Sequence, residues 1–223
     1  MRLPLGPDSC LVVDLDDTLY AEIDFVASGF RAVARMLTPL VGADLLVPMW
    51  CRYRSGENAF AWAAEQCGAR VGVDELLRCY REHRPSITLG PGVRRVLTDA
   101  VALGAVVGVV TDGRSVTQRN KLAALGLTGL LDHVVVSEEI GSEKPDPRNY
   151  GVFVDRHPTR RFVFIGDNTR KDFVVPVQLG WLTICVRDTG RHIHRQDDDP
   201  RPRPDHMISS FEEIEVVAAA AAP

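Results

Sequence analysis

Two kinds of hydrophobic pattern divide the 223-residue chain. Near its start Leu11, Val12 and Val13 form an unbroken apolar run that stops at Asp14, Leu15, Asp16, Asp17 and Thr18. A strand buried on both faces has this look where it ends at a charged pocket. From residue 21 to about residue 83 no run rich in Val and Ile occurs. Phe25, Phe30, Val33, Ala34 and Leu37 recur there at helical spacing, which predicts an amphipathic helix with one buried face. Further helices are predicted over 44–53, 57–67 and 73–82, with Gly42, Gly56 and Gly68 as breaks between them. This segment is a small helical bundle inserted after the first strand.

From Leu89 onward helix and strand patterns alternate, which predicts a parallel sheet with helices on its faces. The expected elements are a helix over 92–103, a buried strand over 105–110 ending at Thr111, Asp112 and Gly113, and a helix capped by Ser115 that runs through Gln118, Leu122 and Leu125 to Gly126. Strands are expected over 133–136, 161–165 and 182–186. Lys144 precedes Pro145, which keeps it out of a helix and places it on a loop or at a helix entrance. Residues 191–205 are polar and proline-rich and predict an exposed loop, in which His192 and His194 stand as an incidental pair without further metal ligands. The stretch 206–217 predicts a short edge strand and then a helix from Ser209 or Ser210, and the final alanines predict a frayed end.

Composition narrows the class of protein. A net charge of −4 supplies no broad basic footprint for nucleic acid, so an anionic ligand must be held by a local site. The five cysteines, Cys10, Cys51, Cys67, Cys79 and Cys185, are scattered without metal spacing and are read as reduced. Neither a signal segment nor a run long enough to span a bilayer is found. A cytoplasmic enzyme is the expectation, with no membrane partner and an open oligomeric state. Arg31, Arg52, Arg54 and Arg81 in the helical segment are read as surface residues.

The chemistry sits where predicted strands stop. Asp14 and Asp16 are two residues apart at a strand terminus, so both can flank one pocket, one attacking while its neighbour moves a proton. Thr111, Lys144, Asp167 and Asp172 lie at other strand ends or loops, and in an open parallel sheet such groups converge on the crevice outside the carboxyl ends. Asp14-Leu15-Asp16-Asp17-Thr18, the VVT ending at Thr111, the EKPDP around Lys144 and the GDNTRKD of 166–172 together resemble the four motifs of the haloacid dehalogenase superfamily in its phosphatase branch. Their order and spacing hold from about Cys10 to Val217.

The resemblance implies a Rossmann-like core over 1–20 and 85–223, with the first strand central, and a helical cap over 21–84 that closes over the pocket. It implies an Mg²⁺-dependent phosphatase acting on a small phosphorylated metabolite, of sugar phosphate or nucleotide type, through an aspartyl phosphate. Asp14 is then the nucleophile and Asp16 the acid and base. Thr111, Asp112 and Lys144 face the phosphate, and the metal is held by Asp14, Asp167, the Asp16 backbone carbonyl and Asp172, the last directly or through water. Thr18 holds the first loop, and Asp17 is structural or solvated. Two departures stand out: Asp112 where relatives often carry Asn, adding a negative group beside a phosphate site, and Thr169 where relatives often carry proline. A phosphomutase would share these motifs, and a non-catalytic phosphometabolite-binding protein would usually have lost a carboxylate.

Overall fold

The computed structural model describes residues 1–158, 160–197 and 199–220. The closing residues 221–223, expected to fray, lie outside them. The strands are β1 (Arg2–Leu5), β2 (Ser9–Val13), β3 (Val106–Thr111), β4 (His133–Val136), β5 (Arg161–Gly166), β6 (Leu182–Val186), β7 (His206–Ile208) and β8 (Glu215–Ala218). Between β2 and β3 run α1 (Glu22–Val41), α2 (Leu46–Arg54), α3 (Ala59–Cys67), α4 (Val73–Glu82) and α5 (Val93–Ala102); later come α6 (Ser115–Ala124), α7 (Ser137–Ile140), α8 (Arg148–Arg156) and α9 (Val174–Gln178).

Six strands form a parallel sheet in the order β4-β3-β2-β5-β6-β7. The apolar run of β2 is buried at every position because neighbours flank it on both sides and side chains alternate between two covered faces. Leu11 and Val13 point into one core with α5 and α6, through Val96, Leu97 and Leu122. Cys10 and Val12 point into another with α8, through Tyr150 and Phe153. The chain crosses from β4 back over β2 to begin β5, so the reversal of strand order falls at the carboxyl ends of β2, β3 and β5. A crevice opens at such a switch point.

Helices α1 to α4 gather a cluster of their own around Phe30, Val33, Leu37, Met49, Ala63 and Leu76. All five residues of the predicted apolar stripe on α1 are buried, but Phe25 departs from this cluster and packs with the sheet core. Gly29 lets Tyr80 of α4 lie against α1, since a Cβ there would come within 2.3 Å of the ring. The five cysteines are unpaired. Among the described residues no helix is long and apolar enough to cross a membrane.

Three local expectations need correction. The helix expected after Ser209 is one 3₁₀ turn, Phe211–Glu213, closed by a capping box between Ser210 and Glu213. The chain then extends as β8 and pairs in parallel with β1, a strand absent from the sequence-based reading. That pairing buries Leu3 and Leu5 completely, and Pro4 is tolerated because a two-stranded sheet consists of edges. Ser115 is the first residue of α6 and Arg114 its cap, with no side-chain cap bond.

The tail loop is not simply exposed. Ile193 packs on the cluster of α1 to α4, and Gln196 donates to the backbone carbonyls of Asp167 and Val186, each at 2.7 Å.

Candidate active site

Asp14 continues the ladder of β2 by one residue, its N–H donating to the Ile165 carbonyl at 2.9 Å, before the chain turns away. That turn passes through Asp17, the one described non-glycine residue with positive φ (57°). Asp17 is buried and holds the turn by accepting from the backbone N–H of Glu22 and of Ile193, each at 2.7 Å. The Asp14 side chain therefore projects from the end of the central strand. Thr18 donates its hydroxyl toward Asp14 Oδ2 at 3.2 Å and lies 3.4 Å from Asp167 Oδ1.

Opposite Asp14, the buried Lys144 ammonium donates to Asp14 Oδ1 and lies 2.8 Å from Asp172 Oδ1. Burial opposes the lysine charge, but the carboxylates of Asp14 and Asp172 outweigh it and hold Lys144 well above its ordinary value. Burial raises Asp14 well above the carboxylate range, and Asp172 and Asp167 push it further against the pull of Lys144. Asp167 is pushed up to about 6 by burial and Asp172, with His192 pulling the other way.

Asp172 is fully buried, and its Oδ2 accepts from the backbone N–H of Asp167 at 3.1 Å and Asn168 at 2.9 Å. Gly166 permits this, because a Cβ there would meet that oxygen at 2.5 Å.

Six of the seven candidate residues line one cavity of about 240 Å³: Asp14, Asp16, Thr111, Asp112, Lys144 and Asp167. Asp172 stands behind it, against Lys144 and the 167–168 backbone. The extra charge of Asp112 is compensated: Oδ1 accepts from the Lys144 N–H at 3.0 Å and Oδ2 from the Lys171 ammonium at 2.6 Å. Thr169, the other departure, accepts from the Asp197 N–H at 2.9 Å and so fastens the tail loop.

Asp14, Asp167 and Asp172 each offer an oxygen within 4.8 Å of the others. Asp172 Oδ1 is buried and, apart from the Lys144 ammonium 2.8 Å away, has no partner among the described residues. An all-oxygen donor set facing an excess of negative charge fits a hard divalent cation such as Mg²⁺. His192 and His194 do not form a metal pair. His192 turns inward, its Nδ1 3.3 Å from Asp167 Oδ2, while His194 lines the cavity mouth.

Sequence reasoning missed the surroundings of Asp16. Lys121 Nζ reaches both oxygens at 2.7 and 2.9 Å, Gln118 donates at 2.8 Å, and the Tyr20 hydroxyl donates as well. Burial favours the neutral acid, but Lys121, Tyr20 and Gln118 together hold Asp16 below its ordinary value. Gln118 also donates to Thr111 Oγ1 at 2.6 Å, tying the second strand end to the first. A signal was present, since Gln118 and Lys121 fall in phase with Leu122 and Leu125 on the buried face of α6. Glu22 was missed too. It lines the cavity from the first turn of α1, where burial and the charge of Asp16 push its carboxyl up to about 8.

Known proteins resemble this chain in sequence and in fold. The glyceraldehyde 3-phosphate phosphatase of Methanocaldococcus jannaschii is 27% identical over 226 residues, covering 92% of this chain and 94% of its own. The phosphoserine phosphatase of Thermus thermophilus is 27% identical over 190 residues, covering 78% and 74%. In fold, the 2-haloacid dehalogenase from Pseudomonas syringae pv. Tomato DC3000 superposes with a TM-score of 0.63 over 92% of this chain and 95% of its own, at 21% identity. The haloacid dehalogenase-like hydrolase family matches residues 11–186, which carry all four motifs; the chain belongs to that family.

Proposed function

We propose that the protein is an Mg²⁺-dependent phosphatase that hydrolyses a small phosphomonoester through an aspartyl phosphate on Asp14. The observation that carries this reading is Asp16 lining the same cavity as Asp14. Displacing a halide needs no proton donor and no cation, whereas expelling an alkoxide from an anionic phosphate needs both. A sequence relative named as a glyceraldehyde 3-phosphate phosphatase supports a small phosphomonoester as substrate.

In this reading Asp14, Asp167, the Asp16 carbonyl and Asp172, directly or through water, would hold Mg²⁺, whose charge would offset the repulsion between a carboxylate nucleophile and a phosphate. Lys144 aims an Asp14 oxygen at phosphorus and, with the Thr111 hydroxyl, binds phosphoryl oxygens. Asp112 positions the Lys144 backbone from behind. Attack forms the Asp14–phosphorus bond and breaks the bond to the alcohol oxygen, which takes a proton from Asp16. Asp16 then removes a proton from the water that attacks the acyl phosphate, releasing phosphate and restoring Asp14. Because Lys121 pairs with the Asp16 carboxylate, Asp16 must turn from Lys121 toward the leaving oxygen to act as the acid. Residues 21–84 serve as the cap, excluding water and limiting substrate size, with no role for nucleic acid or a membrane surface and with a cytoplasmic location.

The test is phosphate release from a panel of metabolite monoesters with and without Mg²⁺, alongside isomerisation assays that separate a phosphatase from a phosphomutase. Asp14→Asn is expected to keep its melting profile and lose turnover. A folded Asp14→Asn protein with wild-type activity would exclude the covalent route.

A further inference from the structure

The charges around the cavity divide into two groups. At the phosphate end the cationic side chains already have partners: Lys144 contacts Asp14 and Asp172, and Lys171 lies 2.6 Å from Asp112. On the other side Lys121 is bidentate on Asp16 and only 4.0 Å from a Glu22 oxygen. Two further carboxylates line the cavity. Glu22 shares Lys121 at that longer distance, and Glu143 at the exposed rim has no ion pair among the described residues. No arginine lines the cavity among the described residues. His194 is the remaining basic group at the mouth.

A phosphomonoester placed with its phosphoryl group at Asp14 has its alcohol portion in the rest of this cavity, whose lining includes Glu22 and Glu143. A second anion on that portion would find no free lysine or arginine and would meet Glu22 and Glu143. Resting on the phosphatase reading above, we infer that Glu22 and Glu143 are specificity-determining residues that reject leaving groups carrying a carboxylate or second phosphate, so that the substrate is a monoester of an uncharged, hydroxyl-bearing alcohol. This is selection by repulsion, which discriminates without a contact to the favoured substrate; Glu22 adds its charge only once its raised carboxyl ionises. The cavity of about 240 Å³ falls just below the range of about 300–1,000 Å³ in which small-molecule sites lie. One unit charge acting over about 10 Å at an effective dielectric of about 20 changes an equilibrium roughly tenfold, and salt reduces that factor.

The test compares kcat/KM for glycerol 3-phosphate and 3-phosphoglycerate, which differ in a hydroxymethyl against a carboxylate. It is run with Mg²⁺ at pH 9, above the value of about 8 to which burial and Asp16 push Glu22 and where an imidazole is ordinarily neutral. The wild type is expected to favour the glycerol ester by at least tenfold. That ratio should fall with added salt and shrink about tenfold or more in Glu22→Gln/Glu143→Gln, mainly through faster turnover of the phosphoglycerate. Each single variant should move it part of the way, and Glu143→Gln, on an exposed position, guards against a folding defect. Calorimetric binding of the same two ligands to Asp14→Asn separates this inference from the one it rests on. Absence of turnover on every ester overturns the phosphatase reading, whereas the binding ratio judges charge selection alone. A wild-type ratio near one in both assays, or a ratio unmoved in the double variant, overturns the role assigned to Glu22 and Glu143.

Discussion

Replacing Lys121 by methionine isolates the contact that governs Asp16. The lysine side chain is 3% exposed and the aspartate side chain 19%, with two nitrogen–oxygen distances below 3 Å. Its ammonium also lies over the Phe25 ring, 4.2 Å from the centroid. Methionine keeps most of the volume but leaves the Asp16 charge with only Tyr20 and Gln118 as donors. Stripping one partner from a buried pair costs about 3–5 kcal/mol, and the two surviving donors and partial exposure bring the expectation to about 2–4 kcal/mol. For a chain of this length that is a fall in Tm of roughly 4–16 °C.

Urea unfolding in EDTA of the wild type, Lys121→Met, Asp16→Asn and the double variant completes a thermodynamic cycle, with an expected coupling of about 2–3 kcal/mol. The sign with pH follows from Asp16 being held low. The coupling is fully present above the unfolded aspartate value of about 3.9 and is lost as pH falls through the lower folded value. Without Lys121 the Asp16 carboxyl rises, so the alkaline limb of the kcat/KM profile, where Asp16 is lost as the acid toward the leaving oxygen, should move to higher pH. Additivity of the two single variants within about 0.5 kcal/mol, or an unmoved alkaline limb, would refute this account of Lys121.

Three further outcomes are expected. Mg²⁺ should raise the Tm of the wild type, because an ion that binds only the folded state stabilises it, and the gain should shrink in Asp167→Asn; an unchanged gain in that variant would remove Asp167 from the ligand set. Gly29→Ala drives a methyl group into the Tyr80 ring and should cost about 1–3 kcal/mol in urea unfolding, with no loss expected if α1 and α4 pack differently. Lys171→Met leaves the Asp112 charge uncompensated beside the phosphate end and should raise KM for phosphate esters several-fold more than Asp112→Asn/Lys171→Met does, a comparison that fails if Asp112 is remote from the bound phosphate.

The contrast between what the chain announces and what it conceals has a physical basis. The strand ends were legible because a strand buried on both faces must be an apolar run, and a run broken by Asp14, by Thr111 or by Asp167 marks where backbone leaves the core. Alternation of such runs with helices is enough to set a parallel sheet, and the sheet then gathers residues 14, 111, 144 and 167 without any local signal linking them. The pairing of β1 with β8 was concealed because its hydrogen bonds join Arg2–Leu5 to residues more than two hundred positions away and neither segment is long enough to declare itself.

Lys121 and the tail loop were concealed for a related reason. A lysine on a helix is ordinarily solvated, and only the tertiary position of Asp16 turns it inward. His192 and Gln196 sit in a polar, proline-rich stretch whose composition predicts solvent, yet each is held against Asp167, and Ile193 between them reaches the helical cluster. The same stretch therefore touches the residue expected to bind the cation and the helices expected to cover the substrate. Arg191 adds a third tie through a 2.7 Å ion pair to Asp24 on α1. Moving those helices away from the sheet would have to break the Arg191–Asp24 pair and the packing of Ile193 on the helical cluster, so the tail loop resists that movement in proportion to how well these contacts are made.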